Sequence, residues 1–301
     1  MKISVIQSKS KFRYDPDDPG AYDLALCCKL AQPGIEEGFQ MVEQAAREGA
    51  HLIVTVEGFN GTVSYRDRRY HFPDVSEPLD GPLIRRFSDL AGQYGIYIVG
   101  GLYTSRDGNA YNSAVLFGPE GSIVGIYDKV HLPAGEEIGI TPGDFYPTFE
   151  TEHGLIGLLV CWDMQYPEAP RELALSGVDL IACPTLGWEN IYGLSRAYEN
   201  GVSIAAAMGL PSHQDLWDFC DPSCVVDNMG RIVSAGGRRS SEIVTAELDI
   251  RREPAPQYGA GEITGMNSMR RIRMMQRRPD TYRLVSDSTP PVLSRYADTA
   301  G

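Results

Sequence analysis

The sequence predicts an α/β fold of four layers, α-β-β-α, built from two similar halves. Two observations predict it. Short apolar runs of strand length alternate with helical patterns, the signature of β-α units. The order strand, helix, strand, helix, strand, hairpin is also legible twice, once to about residue 129 and again over about 155–250. Each half is expected to form a sheet with helices on one face, and the two bare faces to pack together. Residues 1–250 are therefore expected as one domain. Residues 251–301, rich in Arg, Pro and Met, are expected as a C-terminal extension on the body or on a neighbouring subunit.

ISVIQS (3–8) reads as a buried strand. The stretch from Lys9 to Pro33 has no counterpart in the second half, and its DPDDPG and AQPG read as an irregular insertion. A helical pattern at 34–48 precedes Gly49 and the apolar HLIVTVE (51–57). LIGLLVC (155–161), a helical 167–176, Gly177 and DLIACPT (179–185) repeat that order. AREGAHLIVTVE (46–57) and ALSGVDLIACPT (174–185) thus share a helix–Gly–strand plan, the glycine suiting a helix C-terminus. QYGIYIVGG (93–101) matches ENGVSIAAA (199–207), each a helix end running into a strand. NSAVLFGPEGSIVGIY (112–127) matches PSCVVDNMGRIVSAG (222–236), each two β runs about a Gly-containing turn.

With 301 residues, 43% hydrophobic and 22% charged, the chain has a globular composition. A net charge of −13 argues against nucleic-acid and anionic-membrane partners and suits neutral or cationic small substrates. MKISVIQSKS turns polar after six residues, and no apolar run reaches membrane-span length, so a cytoplasmic location is expected. The six cysteines, at 27, 28, 161, 183, 220 and 224, do not read as a disulfide framework. Cys220, Cys224 and His213 are loosely spaced and lack an obvious fourth ligand, so no metal site is expected. Neither GxGxxG after a strand nor GxxxxGK[ST] is present.

Open α/β folds place ligands beyond the carboxyl ends of their strands. Three reactive residues stand at such ends: Glu57 after HLIVTVE, Lys129 after SIVGIYDK and Cys161 after LIGLLVC. Alone, each has an ordinary reading, as a loop acid, an edge charge or a small hydrophobe. Together they form a working set. Glu57 is a base for the thiol, helix amides after Pro167 lower the thiol pKa, and Lys129 stabilises charge developing on a carbonyl oxygen. Glu136 or Glu137 is placed to hold the lysine. A Cys–His arrangement fits less well. Only His213 follows Cys161, and His131 and His153 have no evident orienting partner.

VTVEGFN around Glu57, YDKVHLP around Lys129 and LLVCWDMQYPE around Cys161 resemble the three catalytic stretches of the nitrilase superfamily, the carbon–nitrogen hydrolases. GEEIGITPGD, SRAYENGVSIAAA and VVDNMGRIV extend the resemblance from Ile3 to about Leu248. It implies a cofactor-free mechanism with Glu57 as general base, Cys161 as nucleophile, and Lys129 with the Trp162 N–H as oxyanion donors. Glu136 falls on the family's second glutamate and would orient Lys129 or the substrate. A homodimer or larger assembly is implied too, through helices near the cysteine and the C-terminal tail. Val56, Met208, Pro211 and Pro222 depart from the family's usual residues near the pocket floor.

Cys-Trp-Asp is more like the amidase and carbamoyl-hydrolysing branches than the true nitrilases. Met164 and Gln165 stand where N-carbamoyl amino acid enzymes tend to offer arginines, which speaks against an anionic substrate. The internal repeat sets Thr185 opposite Glu57, so LGWEN (186–190) is expected to border the pocket. Trp188 would pack on an aliphatic chain and Glu189 would meet a cationic amine, unless that acid serves only a helix N-terminus. Phe59 and Trp162 complete the candidate substrate contacts. The expected activity is hydrolysis of a small linear amide or N-carbamoyl amine through a cysteine thioester, with release of ammonia. The alternatives are nitrile hydrolysis and a catalytically idle binding or scaffold protein.

Overall fold

A computed structural model describes residues 1–8, 24–61, 65–66, 69–70, 72–210 and 220–295, which divide into two compact units, Met1–Pro254 and Ala255–Gly301. The first half of the larger unit runs β1 (Lys2–Gln7), α1 (Leu24–Arg47) and β2 (Leu52–Val54). A short hairpin follows, β3 (Tyr65–Arg66) with β4 (Arg69–Tyr70), then α2 (Phe72–Val75) and β5 (Glu77–Pro78). α3 (Pro82–Tyr94), β6 (Tyr97–Arg106), β7 (Asn109–Phe117) and β8 (Ile123–Asp128) complete it. The second half runs β9 (Thr148–Thr151), β10 (Gly154–Leu158), α4 (Glu168–Leu175), β11 (Leu180–Thr185) and α5 (Asn190–Asn200). It ends with β12 (Ser203–Met208), β13 (Cys224–Val226), β14 (Ile232–Ala235) and β15 (Glu242–Glu247). The smaller unit holds α6 (Ala260–Thr264) and α7 (Met269–Met275), the latter capped by the Ser268 hydroxyl accepting the Arg271 N–H at 3.0 Å.

One sheet has the order β15-β1-β2-β6-β7-β8, with β5 beside β6; the other has β9-β10-β11-β12-β13-β14. Three parallel strands form the centre of each, and a β-hairpin extends one side antiparallel. β1 and β2 lie against β12 and β11, so the bare faces pack on one another as the repeat predicts. The repeat does not reveal an exchange of edges. β15 crosses back to pair antiparallel with β1, from Lys2–Glu247 to Gln7–Glu242, while β9 fills the equivalent place beside β10.

Helix α3 shows why these residues fold as they do. Proline sits in its first turn, and Gly95 closes it at φ 63°, a left-handed value that glycine adopts without strain. Glu77 takes two of its orphan amides, accepting from Leu83 N at 2.8 Å and Ile84 N at 2.9 Å. α1 and α3 cover the first sheet with a run of aromatic contacts: Phe39–Phe59 at 4.9 Å, Phe39–Phe87 at 4.7 Å and Phe87–Phe117 at 5.4 Å.

One boundary needs correction. Residues 24–33 belong to α1 and not to an irregular insertion, and Pro33 lies inside the helix. The buried face, Ile35, Phe39, Val42 and Ala46, begins only after the proline. Upstream, the glycine and proline of AQPG interrupt the sequence and read as a break, yet the helix runs through them. The expectations concerning residues 9–23, Pro211 and His213 lie outside the described residues. Among the described residues no helix is long and apolar enough to cross a membrane.

Candidate active site

Glu57, Lys129 and Cys161 stand one to three residues beyond the ends of β2, β8 and β10. Glu57, Lys129 and Glu136 are buried together. Lys129 Nζ donates to Glu57 Oε1 and to Glu136 Oε2, each at 2.8 Å. Asn112, fully buried on β7, donates Nδ2 to Glu57 Oε1 at 2.7 Å and to Glu136 Oε1 at 2.6 Å. The Leu186 N–H reaches Glu57 Oε2 from the opposite sheet at 3.0 Å. The backbone fixes the lysine as well: its N–H goes to Asn112 O at 2.8 Å, and its carbonyl accepts the Gly143 N–H at 2.9 Å. Only glycine fits at 143, because a Cβ there would collide with the Asp128 carbonyl. Glu136 opens a short 3-10 helix after Gly135, whose φ of 97° turns the chain inward.

Cys161 is presented by a sharp turn. The β10 ladder stops at Leu158, and at Cys161 the backbone takes φ 45°, the left-handed region, before a 3-10 helix over Cys161–Gln165. A non-glycine residue held there costs about 1–3 kcal/mol, and the surroundings must over-determine it. Asp163 does so. Its carboxylate, with no exposed surface, accepts from Val160 N at 3.0 Å, His131 N at 2.9 Å and Tyr127 Oη at 2.7 Å. His131 Nδ1 lies 3.0 Å from Asp163 Oδ1, and its ring stacks on Tyr166 at 3.9 Å. So His131 does have a carboxylate partner, one that sequence spacing does not disclose. On the other side of the sulfur runs the segment after β11: a Cβ at Gly187 would stand 3.9 Å from Cys161 Sγ. The Gly187 N–H is itself tied to Thr185 Oγ1 at 3.1 Å.

Electrostatics divides the protons. Burial lowers the Lys129 pKa, but the charge of Glu57, the charge Cys161 bears when it is a thiolate, and the charge of Glu136 overcome it and raise it, so the ammonium persists. Burial pushes the Cys161 thiol up to about 12, aided by the Glu57 charge and opposed by Lys129, the Thr185 hydroxyl and the Leu186 N–H. The resting sulfur is a thiol, and a thiol would need a base in order to act as a nucleophile. Glu136 is raised by burial and by Glu57, against the pull of Lys129 and Asn112.

The candidate substrate contacts divide. Trp162 is 39% exposed, and its N–H precedes the first closed turn of the 3-10 helix, in which Asp163 N bonds to Val160 O at 3.1 Å. Phe59 belongs largely to the aromatic core, but it borders a cavity of about 30 Å³ shared with Glu57, Ser8 and Ile35. Trp188 has no exposed surface. Its indole N–H goes to Asn190 Oδ1 at 3.0 Å and Tyr192 meets its ring edge-on at 5.3 Å, so it is core beneath α5 and not a wall for an aliphatic chain. Glu189 precedes α5 half-buried, accepts from Gln165 Nε2 at 3.2 Å, and has no ion-pair partner among the described residues. Asn112, Asp163 and the Leu186 N–H escape the sequence reading. For Asn112 the available signal is a polar Asn-Ser pair leading into the apolar run AVLF on one strand.

A model of the carbon–nitrogen hydrolase family matches residues 28–255. The chain belongs to the carbon–nitrogen hydrolase family. This hydrolase is 29% identical over 230 residues to the omega-amidase NIT2 of Mus musculus, an alignment spanning 70% of this chain and 81% of the mouse protein. It is 30% identical over 216 residues to a nitrilase of Pyrococcus abyssi, with 70% and 81% covered. Its fold is shared with an amidase from Nesterenkonia sp. AN1 whose structure shows covalent addition of the acetamide moiety of fluoroacetamide at the active-site cysteine. There the TM-score is 0.68 at 22% identity, over 94% of this chain and 95% of that one. In this hydrolase Met208 brings its sulfur to the Trp188 N–H at 3.3 Å, and Ser223, after Pro222, accepts the Met208 N–H at 2.8 Å. Met208, one of the departures from the usual residues, thus lies under the 186–190 loop.

Proposed function

We propose that this hydrolase cleaves the C–N bond of a small linear amide or N-carbamoyl amine through a thioester on Cys161, releasing ammonia. The observation that carries the reading is Lys129, held between Glu57 and Glu136 and electrostatically coupled to a cysteine on a strained turn. As Sγ bonds to the carbonyl carbon, Glu57 takes the thiol proton. The carbonyl oxygen becomes an oxyanion facing Lys129 and the Trp162 N–H. Of the three ammonium hydrogens two are engaged by the glutamates, so the third is available to it. Glu57 then passes its proton to the nitrogen, the C–N bond breaks and ammonia leaves. Water, deprotonated by Glu57, adds to the thioester. Collapse expels the sulfur, which recovers its proton, and releases the acid.

Likeness to omega-amidase NIT2 supports an amide, and Gln165 in place of an arginine beside Glu189 supports a neutral or cationic substrate. Likeness to the Pyrococcus nitrilase favours nitrile hydrolysis as a second reading. Ammonia release from a panel of amides, carbamoyl amines, carbamoyl amino acids and nitriles, with Cys161→Ala in parallel, tests both. Turnover of an amide or carbamoyl amine that vanishes in the variant is expected. Turnover of nitriles alone would select the second reading, and turnover that survives the substitution would exclude Cys161.

A further inference from the structure

We propose that Asn112 is the positioning residue that aims both glutamates at Lys129 and leaves Glu57 Oε2, not Oε1, to carry the catalytic proton. The inference rests on the reading of Glu57 as the general base. The side-chain amide has two hydrogens, and both oxygens it reaches, Glu57 Oε1 and Glu136 Oε1, belong to carboxylates that can only accept when ionised. That fixes the amide's orientation. The opposite flip would set its carbonyl against two acids.

Asn112 gives up something for this placement. It is fully buried, and its Oδ1 has no hydrogen-bond partner among the described residues. A buried acceptor without a partner is unfavourable, so a side chain selected for stability alone would be apolar here. Its backbone carbonyl holds the Lys129 N–H as well, which makes this one residue the common support of base, lysine and second glutamate.

Donor arithmetic places the proton. Glu57 Oε1 already accepts from Lys129 Nζ and Asn112 Nδ2, which fills both of its lone pairs. Among the described residues Oε2 accepts only the Leu186 N–H, from the segment whose Gly187 borders the sulfur. Oε2 therefore keeps one lone pair without a partner among the described residues. The titratable groups around the glutamates and the sulfur are Lys129 after β8, Cys161 on its turn, Cys183 on β11, Tyr192 on α5, and Glu57 and Glu136 themselves. The Asn112 amide is one of the groups that hold the raised Glu136 carboxyl down, so without its hydrogens that carboxyl protonates at higher pH.

The test follows alkylation of Cys161 by iodoacetamide against pH, read on the Cys161 peptide by mass spectrometry, in wild type, Asn112→Ser, Asn112→Leu and Asn112→Asp. Alkylation needs no amide substrate, so failure of the substrate reading leaves this readout intact. The acid limb is expected to move up by about one pH unit or more in Asn112→Leu. It should move less in Asn112→Ser, which keeps one donor, and more in Asn112→Asp, which adds a third acid. Buried Cys183 and Cys224 report loosening of the fold and are expected to stay unreactive. Acid limbs within about 0.3 unit of wild type in the folded variants would overturn the proposal. So would loss of the folded state in all three, which would make Asn112 a core residue only.

Discussion

At the scale of single residues, the site joins groups that are unfavourable alone and stable together. Lys129→Met removes the cation between two buried carboxylates. It is expected to reduce stability by about 3–5 kcal/mol, as breaking a buried ion pair does, and to lower kcat by about 100-fold or more. Glu57→Gln keeps the shape and removes the carboxylate proposed as the base, so kcat/KM is expected to fall by about 100- to 10,000-fold with a small change in thermal midpoint. Asp163→Asn lies away from the reacting atoms but loses the acceptor that ties Val160, His131 and Tyr127 around the Cys161 turn. Chemical denaturation is expected to show a loss of about 1–3 kcal/mol, with activity falling as the turn relaxes. Glu57, Lys129 and Cys161 were legible in the sequence because each interrupts an apolar run with a reactive group. Asp163 and Asn112 were not, because their roles depend on partners 24 to 55 residues away that only the folded sheets deliver.

At the scale of elements, the carboxyl ends of the strands deliver the site and close packing between sheets sets its tolerance. Gly101 on β6 lies where the sheets meet: a Cβ there would stand 2.6 Å from Pro184 Cβ and 2.9 Å from Glu57 Cα. Gly101→Ala is expected to lower stability by about 1–3 kcal/mol through overpacking and to reduce activity by displacing Glu57. Gly187→Ala makes the informative contrast. Its Cβ would meet only Cys161 Sγ at an ordinary 3.9 Å, so stability is expected to hold within about 0.5 kcal/mol while KM rises. The β-α alternation was readable because buried strands and amphipathic helices leave different periods. The first turns of α1 were hidden by the Pro-Gly of AQPG, which reads as a break though the helix runs through it, and the crossing of β15 left no signal, since a strand's sequence does not say which sheet it joins.

At the scale of the whole sandwich, the repeat in the sequence becomes two sheets joined at both ends. Opposite the active site, Tyr97 Oη donates to Glu152 Oε2 at 2.7 Å, and the His51 and His153 rings lie 4.9 Å apart, linking the starts of β2 and β6 to the β9–β10 turn. Burial lowers the His153 pKa, against the Glu152 charge and with that of His51. A histidine depressed in the folded state contributes stability above its unfolded value of about 6.5, and that contribution is lost as pH falls through the folded value. The thermal midpoint is therefore expected to drop below about pH 6.5, and His153→Gln to flatten part of that drop. The four layers were legible because the same plan recurs twice. The histidine pair was not, because its members are 102 positions apart and meet only when the two halves pack.

The central claim, that Cys161 carries the acyl group during turnover, is tested most directly by acid-quenching the enzyme with an amide substrate and weighing the Cys161 peptide. The peptide is expected to gain the mass of the acyl group, at a rate that keeps pace with ammonia release, and Cys161→Ala to show neither adduct nor ammonia. Steady ammonia release from the variant, or from wild type with no adduct on Cys161 at any quench time, would contradict the account.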